Sequence, residues 1–153
     1  MKTMTARDKL PRHGSRGQAA VELALSVPLL ITLFLLVVET GRAFYIAISV
    51  SNAARAGVQY GAQNLTTATD NSGMQNAAIA DATNISGMTV TASHFCQCSD
   101  GGASTCLSTD CAGSHRLMYA KVTTSAIYTP ITSWPGVLPS ITIPGQATLR
   151  VAQ

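Results

Sequence analysis

The chain has 153 residues, enough for one domain. Only 11 % of them are charged, about half the usual share. Lys2, Arg7, Lys9, Arg12 and Arg16 face a single acid, Asp8, within residues 1–17, a local charge of +4 against −1 for the remainder. Nothing basic or aromatic continues beyond that stretch, which argues against a nucleic-acid partner. A basic stretch directly before an apolar run instead reads as a cytoplasmic flank.

Residues 1–17 are polar and carry Pro11 and Gly14, so no stable helix is expected there. From Leu23 to Val38 there is no charge. With Gln18 to Glu22 the stretch reaches 21 residues, about the length that spans a bilayer. Pro28 removes one intrahelical hydrogen bond, which predicts a kink or a loosened turn. The helical pattern then continues. Ala43, Ala47, Val50, Ala54, Gly57 and Gly61 recur at steps of three and four, and Asn52, Arg55, Gln59 and Gln63 form a polar stripe. One helix from about Ala19 to about Asn64 is expected. Its small-residue seam has two readings: packing on the chain's own domain, or close packing between subunits. Glu39 and Arg42 share a helix face. They form either a local interfacial ion pair or a contact between subunits.

Asn71-Ser72-Gly73 marks a break, and Ala77 to Ala82 suggests a short second helix ending near Gly87. The period then changes to two. Met88 to Ser93, Met118 to Ala126 and Ile141 to Val151 read as three half-buried strands. Pro144-Gly145 makes the last an edge strand or a bulged one. Pro130 to Pro139 is a loop, with Trp134 as a core or loop plug. The fold class is therefore α+β: a long N-terminal helix, membrane-spanning in its first half, then a short helix and a small antiparallel sheet with a cysteine-stapled loop. The expected divisions are a leader over 1–17, a transmembrane helix over 18–40, its continuation over 41–66, and an α+β domain over 67–153.

Cys96, Cys98, Cys106 and Cys111 sit in a Gly/Ser/Thr/Asp-rich loop between two strands. Four cysteines allow three pairings. Two bridges clipping the loop are expected, and Cys96 with Cys98 is the least favoured because one intervening residue forces strain. A four-thiolate zinc site is the alternative, although the spacing lacks paired CxxC knuckles. His94 and His115 flank the loop and read as strand-end surface residues. Asn64-Leu65-Thr66 and Asn84-Ile85-Ser86 match glycosylation acceptors, a pattern common by chance. No cofactor, metal or phosphate-binding motif stands out, and without a CxxC or a convincing acid–base pair no enzyme is expected.

The most informative stretch lies between the basic leader and the apolar run. Gly17-Gln18-Ala19-Ala20-Val21-Glu22 places a glutamate five residues after a glycine. This resembles the processing site of type IV pilin-like proteins. The wider run through Val27-Pro28-Leu29-Leu30 to Glu39-Thr40-Gly41-Arg42, together with Asn52-Ala53-Ala54-Arg55-Ala56-Gly57, resembles the TadE-like pseudopilins of the tight-adherence (Flp) pilus. The resemblance covers roughly residues 16–62. Where the family often has an aromatic residue after the glutamate, this chain has Leu23.

The resemblance implies cleavage after Gly17 by a prepilin peptidase, a mature chain starting at Gln18, and a Glu22 carboxylate pairing with the new α-amine of a neighbouring subunit. It also implies partners: an assembly ATPase with its membrane platform, a major pilin and a sister pseudopilin. It implies insertion in the inner membrane, with the C-terminal domain periplasmic or extracellular, and a part in adhesion and biofilm formation. The competing readings are an ordinary signal-anchor helix carrying a disulfide-stapled binding domain, and an exported thiol or metal enzyme.

Overall fold

The computed structural model describes residues 15–107, 109–131 and 139–152, with side chains from residue 17 onward. Residues 1–14 of the predicted leader, and Trp134 with residues 132–138 of the predicted loop, lie outside the described residues. By internal contacts the chain divides into two compact units, one ending at Val38 and one spanning Glu39–Gln153.

Helix α1 runs over Ser15–Gly61, 47 residues that pass through Pro28 without interruption. It starts before the expected Ala19, so residues 15–17 are helical where none was expected. The physical reason is cooperativity: once a long apolar run has formed a helix, each added residue contributes one hydrogen bond at little cost. A glycine in the first turn, as at Gly17, does not end such a helix.

The other end stops short of the expected Asn64 because Asn64 caps the next helix. Its Oδ1 accepts from the backbone N–H groups of Thr66 at 2.9 Å and Thr67 at 3.0 Å, and its own N–H donates to the Thr67 hydroxyl at 3.1 Å. This reciprocal capping box starts α2, Leu65–Thr69. Helix α3 follows over Asn71–Asp81. The expected break at Asn71-Ser72-Gly73 is thus its first turn. Asp70 is the N-cap, accepting from the Gly73 N–H at 2.9 Å and from the Ser72 hydroxyl at 2.8 Å. Those two bonds, the Gly73 one foremost, hold the Asp70 carboxyl below its ordinary value, and the Tyr60 hydroxyl at 2.8 Å adds to them.

Four antiparallel strands complete the fold: β1 Thr89–Cys98, β2 Ala103–Ser104, β3 Arg116–Tyr128 and β4 Ile141–Arg150, in the order β2-β1-β3-β4. The long central ladder pairs Thr89 with Ser125 and Cys98 with Arg116. Strand β4 is an edge, as Pro144 required, and its pairing with β3 is unbroken from Tyr119–Arg150 to Tyr128–Ile141. Strand β2 was not expected; two residues carry no readable period.

The core lies between the sheet and the helices. Val50, Ala53, Ala54 and Val58 of α1, Met74 and Ala78 of α3, and Met118, Ala120 and Val122 of β3 are buried. The polar stripe of Asn52, Arg55, Gln59 and Gln63 is exposed. Small residues let α1 approach the sheet closely. A Cβ at Gly57 would lie 2.7 Å from the Met74 carbonyl oxygen and 3.2 Å from Val122. The small-residue seam from Val50 to Gly61 therefore packs on the chain's own domain. The buried Thr124 hydroxyl donates to the Val50 carbonyl at 2.7 Å, and the Ala152 N–H donates to the Ala62 carbonyl at 2.9 Å, so β3 and the C-terminus are both tied to the helix.

Candidate functional site

Gly17, Gln18 and Glu22 all fall in the first turns of α1 and all are exposed. Gln18 and Glu22 are four apart, so they share a helix face. A Cβ at Gly17 would meet nothing within 4 Å, so packing inside the chain does not call for glycine there. The Glu22 carbonyl accepts the Ser26 hydroxyl at 2.8 Å, and the Pro28 carbonyl accepts the Thr32 hydroxyl at 2.8 Å. Both bonds turn a polar side chain back onto the helix, a common device for hydroxyls in an apolar setting. Among the described residues no cation pairs with the Glu22 carboxylate.

The apolar run after Glu22 is exposed around the whole helix circumference, with Leu25 at 74 % and Phe34 at 66 %. A soluble helix hides one face; this one hides none. α1 is the one helix among the described residues that is long and apolar enough to cross a membrane.

At residue 39 the surroundings become polar. Glu39 and Arg42 form the expected ion pair, Oε2 to Nη1 at 3.5 Å. Glu39 also accepts the Tyr128 hydroxyl, and its Oε1 accepts the Ile131 backbone N–H at 2.7 Å. The Tyr128 hydroxyl donates to the Glu39 carbonyl as well, at 3.1 Å. Arg42 lies over the Tyr128 ring, 5.6 Å from its centre. Burial, and then the adjacent Glu39, push the Tyr128 phenol above its ordinary value. The pair spacing of Glu39 and Arg42 was readable in the sequence. Tyr128 and Ile131, some 90 residues away, were not, since no local pattern reports a contact of that separation.

In the cysteine loop the sulfurs pair as Cys96–Cys106 and Cys98–Cys111. All four are taken up in disulfides, so the four-thiolate arrangement a zinc site needs is not formed. The bridges enclose Asp110, whose Oδ2 accepts from the Thr105 hydroxyl at 2.8 Å, the Ser104 hydroxyl at 3.0 Å, and the backbone N–H groups of Thr105 at 2.7 Å and Leu107 at 3.1 Å. The Thr105 hydroxyl leads in holding this carboxyl below its ordinary value. The Arg116 guanidinium donates to the Cys106 carbonyl. Cys106 itself has φ +72°, a left-handed backbone held within this network.

His94 corrects its sequence reading. It lies mid-strand in β1, half-buried and opposite Ala120. His115 is exposed just before β3, and its carbonyl accepts the Ser99 N–H. Five register positions separate the two, roughly 17 Å at the rise of a strand, so they do not meet. Of the two glycosylation matches, Asn64 serves as the α2 cap and Asn84 donates to the Tyr45 hydroxyl at 2.6 Å.

Residues 17–59 match the family model described as TadE-like protein. The match covers less than a third of the chain and ends inside α1, in the stretch that carried the resemblance in the sequence. No curated protein and no solved structure matches.

Proposed function

We infer that this chain, TadE-like over residues 17–59, is a pilus-associated membrane protein of the tight-adherence system, a minor pilin-like subunit and not an enzyme. The observation that carries the reading is a TadE-like helix whose apolar run is exposed on every side. Such a surface needs either lipid or neighbouring helices to cover it. In the membrane α1 spans once, its basic flank stays cytoplasmic, and the disulfide-stapled domain lies outside the cytoplasm, where disulfides persist.

A prepilin peptidase then cuts after Gly17, and Gln18 becomes the first residue. Glu22 is costly inside an apolar assembly until the Gln18 ammonium of a neighbouring subunit meets it. A buried pair adds little net stability, but losing one partner costs about 3–5 kcal/mol. The pair therefore governs register and docking during assembly into, or priming of, a pilus used for adhesion and biofilm growth. The assembly ATPase, its membrane platform, the major pilin and a sister pseudopilin are the partners this role requires.

Mass and N-terminal sequence of the protein from membrane and sheared-pilus fractions test the reading. The expected mature chain starts at Gln18 and retains the apolar helix. Gly17→Ala accumulates as precursor, and Glu22→Ala is trimmed normally but is missing from filaments. A mature protein that still starts at Met1, or that has lost the helix, overturns the pilus role in favour of an ordinary anchored or secreted domain.

A further inference from the structure

We propose that the outer face of the sheet, opposite the face that packs on the helices, is a docking surface for an acidic polysaccharide. The proposal needs only the unit that begins at Glu39 and stands whether or not α1 enters a pilus. Side chains directly opposite in a ladder share a face, so the register defines this one. One rung sets Phe95 beside Tyr119 and Arg150; the next sets Ser93 beside Lys121 and Thr148. The rung after that, Thr91 with Thr123 and Gln146, is hydroxyl and amide only. The Phe95 and Tyr119 rings stack on each other, with centres 5.2 Å apart and planes 12° from parallel. Phe95 is 42 % exposed, and Arg150 is exposed beside Tyr119. Ile127 lies on the same face but four rungs from Tyr119, about 26 Å at the rise of a strand, too far to join the aromatic pair.

Charge selects the occupant. Strands β1, β3 and β4 contain no Asp or Glu, and among the described residues no acid pairs with Lys121 or Arg150. The two cations are diagonal neighbours across the β3–β4 ladder, about 7–8 Å apart at the backbone. An anionic partner neutralises both at once. A second copy laid face to face would set these cations against their own images, which is repulsive. A nucleic acid gains little from two cations, since its affinity follows the number of phosphates neutralised. A sugar polymer with carboxylates on its rings matches what the face offers. The cations suit its sparse negative charge. The hydroxyls and the Gln146 amide suit its own hydroxyls. The electron-rich faces of the aromatic pair suit the apolar C–H side of a sugar ring. Stacking on Tyr119 holds the Phe95 ring in place beforehand, so binding costs little side-chain ordering.

The test uses the full chain in micelles of a polyoxyethylene detergent, whose headgroup is not a sugar. Fluorescently labelled oligogalacturonate is the probe, followed by anisotropy and compared with its methyl ester, a neutral dextran oligosaccharide and oligo-dT. The expected result is saturable binding of the oligogalacturonate that salt weakens, with much weaker binding of both neutral sugars. Lys121→Gln and Arg150→Gln should each weaken it about tenfold, the scale of one hydrogen bond to a charged group. Tyr119→Ala should weaken it with the charge intact. Phe95→Ala, at a more exposed position, makes the same test should Tyr119→Ala melt early. Arg55→Gln, which removes one positive charge from the exposed polar stripe of α1, should leave binding unchanged. Equal binding by wild type and the face variants places the polymer elsewhere, the basic leader included, and overturns the proposal. Equal binding of the methyl ester overturns the role of charge, and tighter binding of oligo-dT assigns the face to nucleic acid instead. Absence of oligogalacturonate binding also overturns it. None of these outcomes touches the pilus reading, which the mature N-terminus decides.

Discussion

At the scale of single residues, the glycines separate packing from conformational preference. Gly57 and Gly41 both sit in α1, and both look equally out of place in a helix. Their surroundings differ. The Cβ of an alanine at 57 would press within 2.7 Å of the Met74 backbone oxygen and 3.1 Å of the Ala78 Cβ, neither of which is a flexible chain end. At 41 it would meet nothing within 4 Å. Gly57→Ala should therefore lower stability by about 1–3 kcal/mol, the usual cost of overpacking a core. Gly41→Ala should raise it by up to about 1 kcal/mol through helix propensity alone. Thermal melts of the two variants in detergent micelles, followed by circular dichroism, check the opposite signs; equal shifts would mean that the helix does not approach α3 as closely as described. The step of three and four was visible in the sequence and placed Gly57 on a seam. It did not reveal the partner. An amphipathic stripe of small residues has the same spacing whether it faces its own sheet or a neighbouring helix, and only the fold brings Met74 and Val122 against it.

At the scale of elements, the cysteine loop replaces packing that so short a segment cannot provide. Between β1 and β3, β2 contributes two residues to the sheet. The bridges Cys96–Cys106 and Cys98–Cys111 close segments with separations of 10 and 13 residues. Loops of that size add about 3 kcal/mol each by restricting the unfolded chain. The two overlap, so their contributions do not add in full. Replacing Cys98 and Cys111 together by serine should lower stability by about 2–4 kcal/mol, while β1, β3 and β4, which pair outside the loop, persist. Denaturant titration gives the first figure, and hydrogen exchange at Thr91, Val122 and Ala147, whose N–H groups lie within the ladders, checks the second. Loss of protection at those three positions would show that the bridges hold the sheet and not merely the loop. The three long strands were legible because alternation at period two survives wherever one face is buried. Strand β2 and α2 were not, being too short to carry any period. Asn71-Ser72-Gly73 misled for a different reason: residues that break a helix interior are acceptable in a first turn once Asp70 caps it. The pairing of the cysteines lay beyond sequence, since spacing alone leaves three connectivities open. So did the Asp110 hub, one acid among many hydroxyls.

For the whole molecule, the division at Val38 implies that the domain does not need the apolar run to fold. Residues 39–61 of α1 supply Val50, Ala53, Ala54 and Val58 to the core, the Thr124 hydroxyl donates to the Val50 carbonyl, and the Ala152 N–H donates to the carbonyl of Ala62 just past the helix. The sheet therefore needs the second part of the helix and not the first. A chain of residues 39–153 is near the lower size limit for a single core, and its two disulfides offset that disadvantage. It should fold as a soluble species with both bridges formed, dispersed amide resonances and one cooperative unfolding transition. A chain of residues 65–153 keeps the disulfides but uncovers the sheet face that α1 buries, including Ala120 and Val122. Those small apolar side chains cannot shield one another, so this shorter chain should show collapsed resonances, bind hydrophobic dye, and lack a cooperative transition. Proton NMR and calorimetry on the two fragments decide the matter. If residues 39–153 fail to fold, the apolar run contributes to the core after all; if residues 65–153 fold, α1 is a passenger on the sheet, and the close approach at Gly57 has no energetic meaning.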